Sequence, residues 1–308
     1  MKIIFFGLGS AGNRHAKILA DNFNHELFAY RSNKGKGRNP LNIKEIDSWS
    51  KVKKISPDVA FITNPTFLHV DLAIKCARLN MKLFIEKPID CSIKNLDLLL
   101  DEANKRNLVT YVAYNLRFHP VIKYLKKYVI AKKIYHVNIY NSSYLPKWKP
   151  NQNHMSSYSV LREKGGGVIL DLSHEFDYIN YLFGGIEKIN GIFDKASCIT
   201  KDVEDFLDAI IKTKSAYVNL HLNFLSMHTE RTIKIDCEDE YIYADLIKNR
   251  IEIYKNRDVK VLLYESDMNE TYKKQIEFFL QNIDNERMMN NLFEAEGLFR
   301  QILGFRKG

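Results

Sequence analysis

Cysteine is scarce in this chain. Cys76, Cys91, Cys198 and Cys237 are the only four in 308 residues, they lie far apart, and none forms a C-x-x-C pair. That spacing speaks against a zinc site and against a disulfide framework, so no metal is expected and the thiols read as reduced. Long apolar runs are missing too: no eighteen consecutive apolar residues occur, and no membrane-spanning segment is expected. The N-terminus lacks the charged-then-apolar layout of a secretory signal, which makes the cytoplasm the expected location. There is no long basic block or arm. A net charge of +9 could serve nucleic acid, an anionic membrane surface or an anionic small molecule, but the lysines are dispersed, as in Lys51-Val52-Lys53-Lys54 and Lys126-Lys127, so no nucleic-acid partner is expected. Internal repeats and low-complexity linkers are also absent. With 45% hydrophobic and 27% charged residues, the composition is that of a globular protein long enough for two domains.

What is present begins at once. Lys2-Ile3-Ile4-Phe5-Phe6 is a short apolar run of β-forming residues that breaks into Gly7-Leu8-Gly9-Ser10-Ala11-Gly12 before a helical stretch, Asn13 to Asp21. Strand, glycine turn and helix start stand in the order a dinucleotide site requires. The first glycine permits the tight turn, the second lets the backbone approach a pyrophosphate, and the third lets the helix pack on the strand. Free N–H groups in the first helical turn would then face the phosphates.

Glu26 to Tyr30 reads as the second strand, and the residues at its end should meet the adenine ribose. An NAD site usually places an acid there; here Tyr30-Arg31-Ser32 is followed by Lys34, Lys36 and Arg38. A guanidinium in place of the acid suits a 2′-phosphate, and such charge-assisted bonds are worth roughly 1.5 to 3 kcal/mol, about a 10- to 150-fold preference for NADP, with NAD still admissible. The bland alternative is a solvated basic loop. Pro57 to Thr63 reads as a buried strand, Asn64-Pro65-Thr66-Phe67-Leu68-His69 as a turn opening a helix to Leu79, and Lys82 to Ile85 as another strand ending in Glu86-Lys87-Pro88. Asp90 or Ser92 can cap a helix from Ile93 to Arg106, and Val109 to Ala113 makes the last strand of this half. The alternation implies a parallel sheet with ligands at the carboxyl ends of its strands, which puts Lys87 on the functional edge. A surface lysine before a turn proline is the alternative.

The second half changes character. Tyr114-Asn115-Leu116-Arg117-Phe118-His119-Pro120 mixes polar and aromatic groups where a cleft wall is expected, with Asn115, Arg117 and His119 as candidate substrate contacts. A helix from Val121 to Ile130 and a strand from Ile134 to Tyr144 follow. Further strand-like runs, from Ile189 to Tyr264 with short connections, suggest a largely antiparallel open sheet, and two amphipathic stretches, Tyr272 to Asn282 and Leu292 to Leu303, close the chain. The fold expected is α/β: a dinucleotide-binding Rossmann domain over 1–118 and an α+β domain over 119–308. Within the latter, Gly165-Gly166-Gly167 opens an apolar-periodic helix that runs to Phe183. Asp171 and His174, three apart, would share one face of that helix with β-carbons about 5 to 6 Å apart. The helix dipole would help keep His174 a base, while the neighbouring acid pulls the other way. A capping aspartate and a core histidine is the bland reading.

These motifs together resemble the glucose-fructose oxidoreductase and inositol dehydrogenase family (Gfo/Idh/MocA): the glycine turn, Asn64-Pro65-Thr66 to His69, and Glu86-Lys87-Pro88 match in order and spacing. The resemblance implies cofactor contacts from Gly7, Leu8, Gly9, Ser10, Ala11, Gly12, Arg31, Ser32, Asn64, Pro65, Thr66, His69, Glu86 and Lys87. It also implies a lysine at 87 that meets both the nicotinamide and the substrate hydroxyl, commonly before a cis peptide. The family's later pattern is Gly-Gly-Gly, three residues, Asp, three residues, His, two residues, Asp. Only two residues separate Asp171 from His174 here, so whether Asp171 or a neighbour fills the carboxylate position stays open, with Glu175 a minor rival for the other role. Tyr144-Leu145-Pro146-Lys147-Trp148-Lys149-Pro150, with Tyr158 downstream, resembles a subgroup linked to bacterial surface-sugar synthesis; aromatic faces at Tyr144, Trp148 and Tyr158 suit a sugar ring, though such a loop is as often packing.

The expected activity is hydride transfer between a nicotinamide and a secondary hydroxyl or ketone of a sugar or nucleotide sugar. Lys87 and His174 would handle the proton, Asp171 would tune them, and the three side chains would converge on one cleft. A homo-oligomer, dimer or tetramer, is implied by resemblance alone. The alternative from another class is a non-catalytic dinucleotide-binding regulator, against which the joint presence of Lys87, Asp171 and His174 argues.

Overall fold

The structure is a computed structural model that describes residues 1–31, 39–148 and 153–307. By internal packing the chain divides into two units, Met1–Tyr114 with Tyr272–Arg300, and Asn115–Thr271 with Gln301–Gly308.

The first unit begins with β1 (Lys2–Phe6), α1 (Ser10–Asn22), β2 (Glu26–Tyr30), β3 (Lys44–Ile46), α2 (Trp49–Ile55), β4 (Val59–Ile62), α3 (His69–Ala77), β5 (Lys82–Ile85), α4 (Leu96–Lys105) and β6 (Thr110–Val112). All strand pairs are parallel, in the order β3-β2-β1-β4-β5-β6. Residues 3–6 and 59–62 are buried without alternation, as strands covered on both faces must be. The order reverses between β1 and β4, and the crevice beyond the carboxyl ends at such a point is where ligands of open α/β sheets bind. Expected and observed elements agree but for three details. The short strand β3 and helix α2 lie in the stretch the pattern left unassigned, Ser48 capping α2 by accepting from Lys51 N–H. α4 starts only at Leu96, behind an Asn95 in the left-handed region. Asp90 therefore does not cap α4; its carboxylate accepts from Cys91 and Ser92 and, across the unit, from Val70 N–H in the first turn of α3.

The second unit contains α5 (Pro120–Tyr128), β7 (Ile134–Tyr144), α6 (Val168–Asp171), α7 (Ser173–Phe183), β8 (Ile186–Asp194), β9 (Phe206–Thr213), β10 (Tyr217–Asn223), β11 (Leu225–Cys237), β12 (Tyr241–Asp245), β13 (Arg250–Lys255) and β14 (Asp258–Leu263); α8 (Met268–Gln281) and α9 (Leu292–Lys307) end the chain. The sheet runs β14-β13-β12-β11-β7-β10-β9-β8, antiparallel at each pair except β7 with β10. Leu207, Ala209, Ile211 and Thr213 of β9 are buried and the residues between them exposed or half-buried, the alternation of a sheet with one wet face. One expectation fails here. The run from Val168 to Phe183 is two helices broken at Leu172 (φ −97°, ψ 29°), so Asp171 ends α6 and His174 lies in the first turn of α7. The shared-face argument for that pair falls with the break; the dipole argument survives for His174 alone.

Candidate active site

At the end of β1 the glycines divide by what surrounds them. Gly7 sits at φ +109°, and a β-carbon on it would lie 2.6 Å from Asn64 N. A β-carbon on Gly12 would overlap the Gly7 carbonyl, whose oxygen accepts from Thr63 Oγ1 at 2.6 Å. Close packing explains both. Among the described residues beyond its chain neighbours, nothing lies within 4 Å of a β-carbon on Gly9, so their packing does not explain that glycine. Gly9 is the N-cap of α1, no side chain caps the helix, and no acid lies in its first turn. The N–H groups around Ser10 and Ala11 therefore carry the positive end of a 13-residue helix with no carboxylate to compete. Beside this turn, at the end of β4, Asn64 Oδ1 is buried without a hydrogen-bond partner among the described residues. A dinucleotide's pyrophosphate fits such a cradle.

Lys87 follows β5, next to β4 in the sheet, and the Lys87–Pro88 peptide is cis. Its backbone N–H donates to Glu86 Oε2 at 3.1 Å, and Glu86 Oε1 lies 2.6 Å from His15 Nε2. Burial opposes ionisation of Glu86, yet the His15 hydrogen bond and the charges of His15, Lys87 and His69 prevail and hold its carboxyl below the usual range. His69, 1% exposed, has Nε2 at 2.8 Å from the Asn64 carbonyl and Nδ1 at 3.0 Å from that of Pro88. Pro65 precedes a short 3-10 turn, Thr66–Leu68, that delivers His69 to α3. His15, buried between Phe61, Phe84 and Tyr272, is a part of this arrangement that sequence reading missed. At the adenine end, Arg31 Nε lies 3.8 Å from Glu45 Oε1 of β3. Glu45 was missed as well, because β3 was unassigned; Ser32 and the basic residues up to Arg38 lie outside the described residues.

In the second unit Gly165 and Gly167 have positive φ (+81° and +104°), and a β-carbon on Gly167 would collide with the carboxylate of Glu204 and the guanidinium of Arg306, themselves paired at 2.9 Å. That packed turn fixes the start of α6 and, four residues on, the buried Asp171. His174 is half-buried. Arg117 and Asp177 form a buried forked pair, with bonds of 2.7, 3.0 and 3.2 Å, tying the residues after β6 to α7. Glu175 is fully buried, its Oε1 accepting from Asn141 Nδ2 (2.8 Å) and Arg231 Nε (2.7 Å). Asn115 donates to Thr271 Oγ1 at 2.6 Å. His119 is buried, and burial with the neighbouring Arg231 charge lowers its pKa to about 4. Trp148 donates through Nε1 to Ser143 Oγ, packs edge-on against Phe224 and keeps 40% of its surface exposed, as does Tyr158; Tyr144 is half-buried at the end of β7. Lys149 and Pro150 lie outside the described residues.

A family profile described as an oxidoreductase family with an NAD-binding Rossmann fold matches residues 1–114, and the Gfo/Idh/MocA C-terminal domain profile matches 122–243. The chain belongs to the Gfo/Idh/MocA family of oxidoreductases. It is 23% identical over 209 residues to myo-inositol 2-dehydrogenase of Thermotoga maritima, a match covering 66% of this chain and 60% of that protein. With levoglucosan dehydrogenase of Pseudarthrobacter phenanthrenivorans it shares 27% identity over 136 residues, 44% of this chain and 35% of that one. Those sequence matches thus span less than two thirds of either relative. Among solved structures, UDP-N-acetylglucosamine 3-dehydrogenase from Acidithiobacillus ferrooxidans superimposes with a TM-score of 0.82 at 20% identity, covering 100% of this chain and 97% of that one. Levoglucosan dehydrogenase in complex with NADH and levoglucosan gives 0.85 at 16%, covering 100% and 96%.

Proposed function

We propose that the protein is an NADP-preferring oxidoreductase acting on a secondary hydroxyl, or the matching ketone, of a sugar or nucleotide sugar. The observation that carries this reading is the Gly9 cradle on an uncapped helix start, two strands from Lys87 in the sheet order β1-β4-β5. The named relatives and neighbours, dehydrogenases of inositol, an anhydrosugar and a nucleotide sugar, support the substrate class. A bound nicotinamide would supply or accept the hydride. Gly9, Ser10 and Ala11 hold the pyrophosphate through backbone N–H groups, and Arg31 stands toward the adenine ribose. Lys87 binds the substrate oxygen and exchanges its proton, with His174 as its proton-handling partner and Asp171 tuning the pair. The resemblance further points to surface-sugar synthesis and to a homo-oligomer.

Glu45 favours a second reading of the cofactor, since it shares the Arg31 charge and offers the acid that an NAD site uses. The test is nicotinamide absorbance of the purified protein with each cofactor against sugars, uronates and nucleotide sugars. Lys87→Met and His174→Ala should keep cofactor binding and lose roughly a hundredfold or more in turnover. Sugar binding without turnover in either direction would favour the regulator. Arg31→Asp should raise the NADP dissociation constant at least about tenfold and spare NAD. Equal affinity of the unmodified protein for both cofactors would sink the preference for NADP.

A further inference from the structure

We propose that His15 and His69 are positioning residues for Lys87, holding its neighbours Glu86 and Pro88 on either side; the proposal rests on the reading of Lys87 as the proton-handling residue. On the N-terminal side, His15 Nε2 holds Glu86 Oε1 at 2.6 Å and the other oxygen of that carboxylate accepts the Lys87 N–H at 3.1 Å. On the C-terminal side, His69 Nδ1 meets the Pro88 carbonyl at 3.0 Å while Nε2 meets that of Asn64 at 2.8 Å. The last ladder bond of β5 is Glu86 N–H to the Ile62 carbonyl, so beyond it the two histidines replace the sheet as the constraint on the chain.

The fold alone does not require this arrangement. His15 is fully buried among Phe61, Phe84 and Tyr272, with Phe279 of α8 beyond the first two, and an apolar side chain would pack there. Replacing buried hydrogen-bonded partners by well-packed apolar groups of the same shape can be nearly neutral, so packing alone does not account for the His15–Glu86 hydrogen bond. Both histidines also sit on cofactor-facing segments. His15 lies three residues after Gly12 on α1, and His69 closes the Asn64 turn at the switch point of the sheet. A shift of either segment is thereby passed to the backbone of Lys87, whose ε-amine must be held to within a fraction of an ångström to exchange a proton.

The groups facing the Glu86 carboxylate are His15 from α1, Lys87 beside it and His69 from α3; Tyr272, under the Arg14 guanidinium, lies beyond His15. An ionised Glu86 favours the ammonium form of Lys87. The test compares His15→Phe, His15→Gln, Glu86→Gln, His69→Gln and Lys87→Met with the unmodified protein. Its first measurement needs no substrate: competitive acetylation of the Lys87 amine, followed by mass spectrometry from neutral to alkaline pH. Glu86→Gln, which removes the carboxylate charge, should move the Lys87 midpoint to lower pH; His15→Phe, which leaves that carboxylate without its His15 donor, should move it to higher pH, and His15→Gln, which keeps a donor for Glu86, should restore it.

With a turned-over substrate, His15→Phe and His69→Gln should each lose about tenfold or more in kcat with KM and cofactor Kd within about threefold, the split expected of lost positioning. Folded His15→Phe and His69→Gln proteins with an unmoved Lys87 midpoint and full kcat would overturn the proposal. Full turnover by Lys87→Met would overturn the role of Lys87 in the reaction instead, and the labelling measurement would still decide the positioning.

Discussion

Single residues carry the sharpest distinction in the cofactor turn. Gly9 and Gly12 belong to one motif, yet a methyl group has open space among the described residues at the first and the Gly7 carbonyl in its path at the second. Gly9→Ala should therefore melt within a degree or two of the parent while weakening nicotinamide dinucleotide binding by about tenfold or more, because a dinucleotide in that turn would meet the new carbon and the described residues would not. Gly12→Ala should lower stability by about 1 to 3 kcal/mol or fail to fold, as overpacked sites do. Calorimetry with cofactor fluorescence titration separates the two; a Gly9→Ala protein that binds cofactor normally would remove the pyrophosphate from that turn. The spacing made these glycines legible because their roles are local. His15 was not legible, since it acquires its meaning from Glu86, 71 residues away, and only the parallel register of the sheet brings that pair to 2.6 Å. Glu45 escaped for the same reason: it faces Arg31 through β3, a three-residue strand too short to show a period.

At the level of elements, the segment after β6 is joined to α7 through Arg117 and Asp177, both about 98% buried at the side chain. Removing one member of such a pair leaves a buried charge uncompensated. Arg117→Met should cost about 3 to 5 kcal/mol, whereas Arg117→Met with Asp177→Leu should recover most of that loss. Urea unfolding of the three proteins measures this; a double variant no more stable than the single one would show that the pair's role is not electrostatic. Turnover should fall in both variants if His174, carried by α7, has the proton-handling role proposed for it. Sequence showed that a helix follows the three glycines but not that it breaks at Leu172: apolar periodicity continues across the break, and what ends α6 is a local backbone turn with no Gly or Pro to announce it. Asp171 and His174 remain neighbours in sequence while the geometry linking them is that of a corner between two helices.

For the molecule as a whole, the class of both sheets followed from pattern, because alternation and buried runs report directly on how many faces are covered. The return of Tyr272–Arg300 to the first unit did not, since an amphipathic helix reveals which face is apolar and not which core it joins; there Phe279 packs on Phe61 and Phe84. The two tryptophans fall one to each unit, Trp49 in the first and Trp148 in the second, so a Trp49→Phe background lets fluorescence follow the second unit alone. That unit should be acid-sensitive through His119, whose folded pKa of about 4 lies below its ordinary 6.5 because burial and the Arg231 charge disfavour the cation. Between those values the unfolded chain binds a proton that the native state refuses, so stability falls as pH drops through the window. The loss is on the order of 3 kcal/mol in full, about 2 kcal/mol of it by pH 5. Glu86 does not confuse that upper part of the window: it belongs to the first unit, and a carboxyl with a lowered folded pKa costs stability only at and below its ordinary value of 4.5. His119→Gln removes the titration. In urea unfolding followed by Trp148, the stability gap between the parent and His119→Gln should shrink by about 2 kcal/mol from pH 7 to pH 5, and a gap that stays constant would mean that His119 is already protonated, or already hydrated, in the native fold.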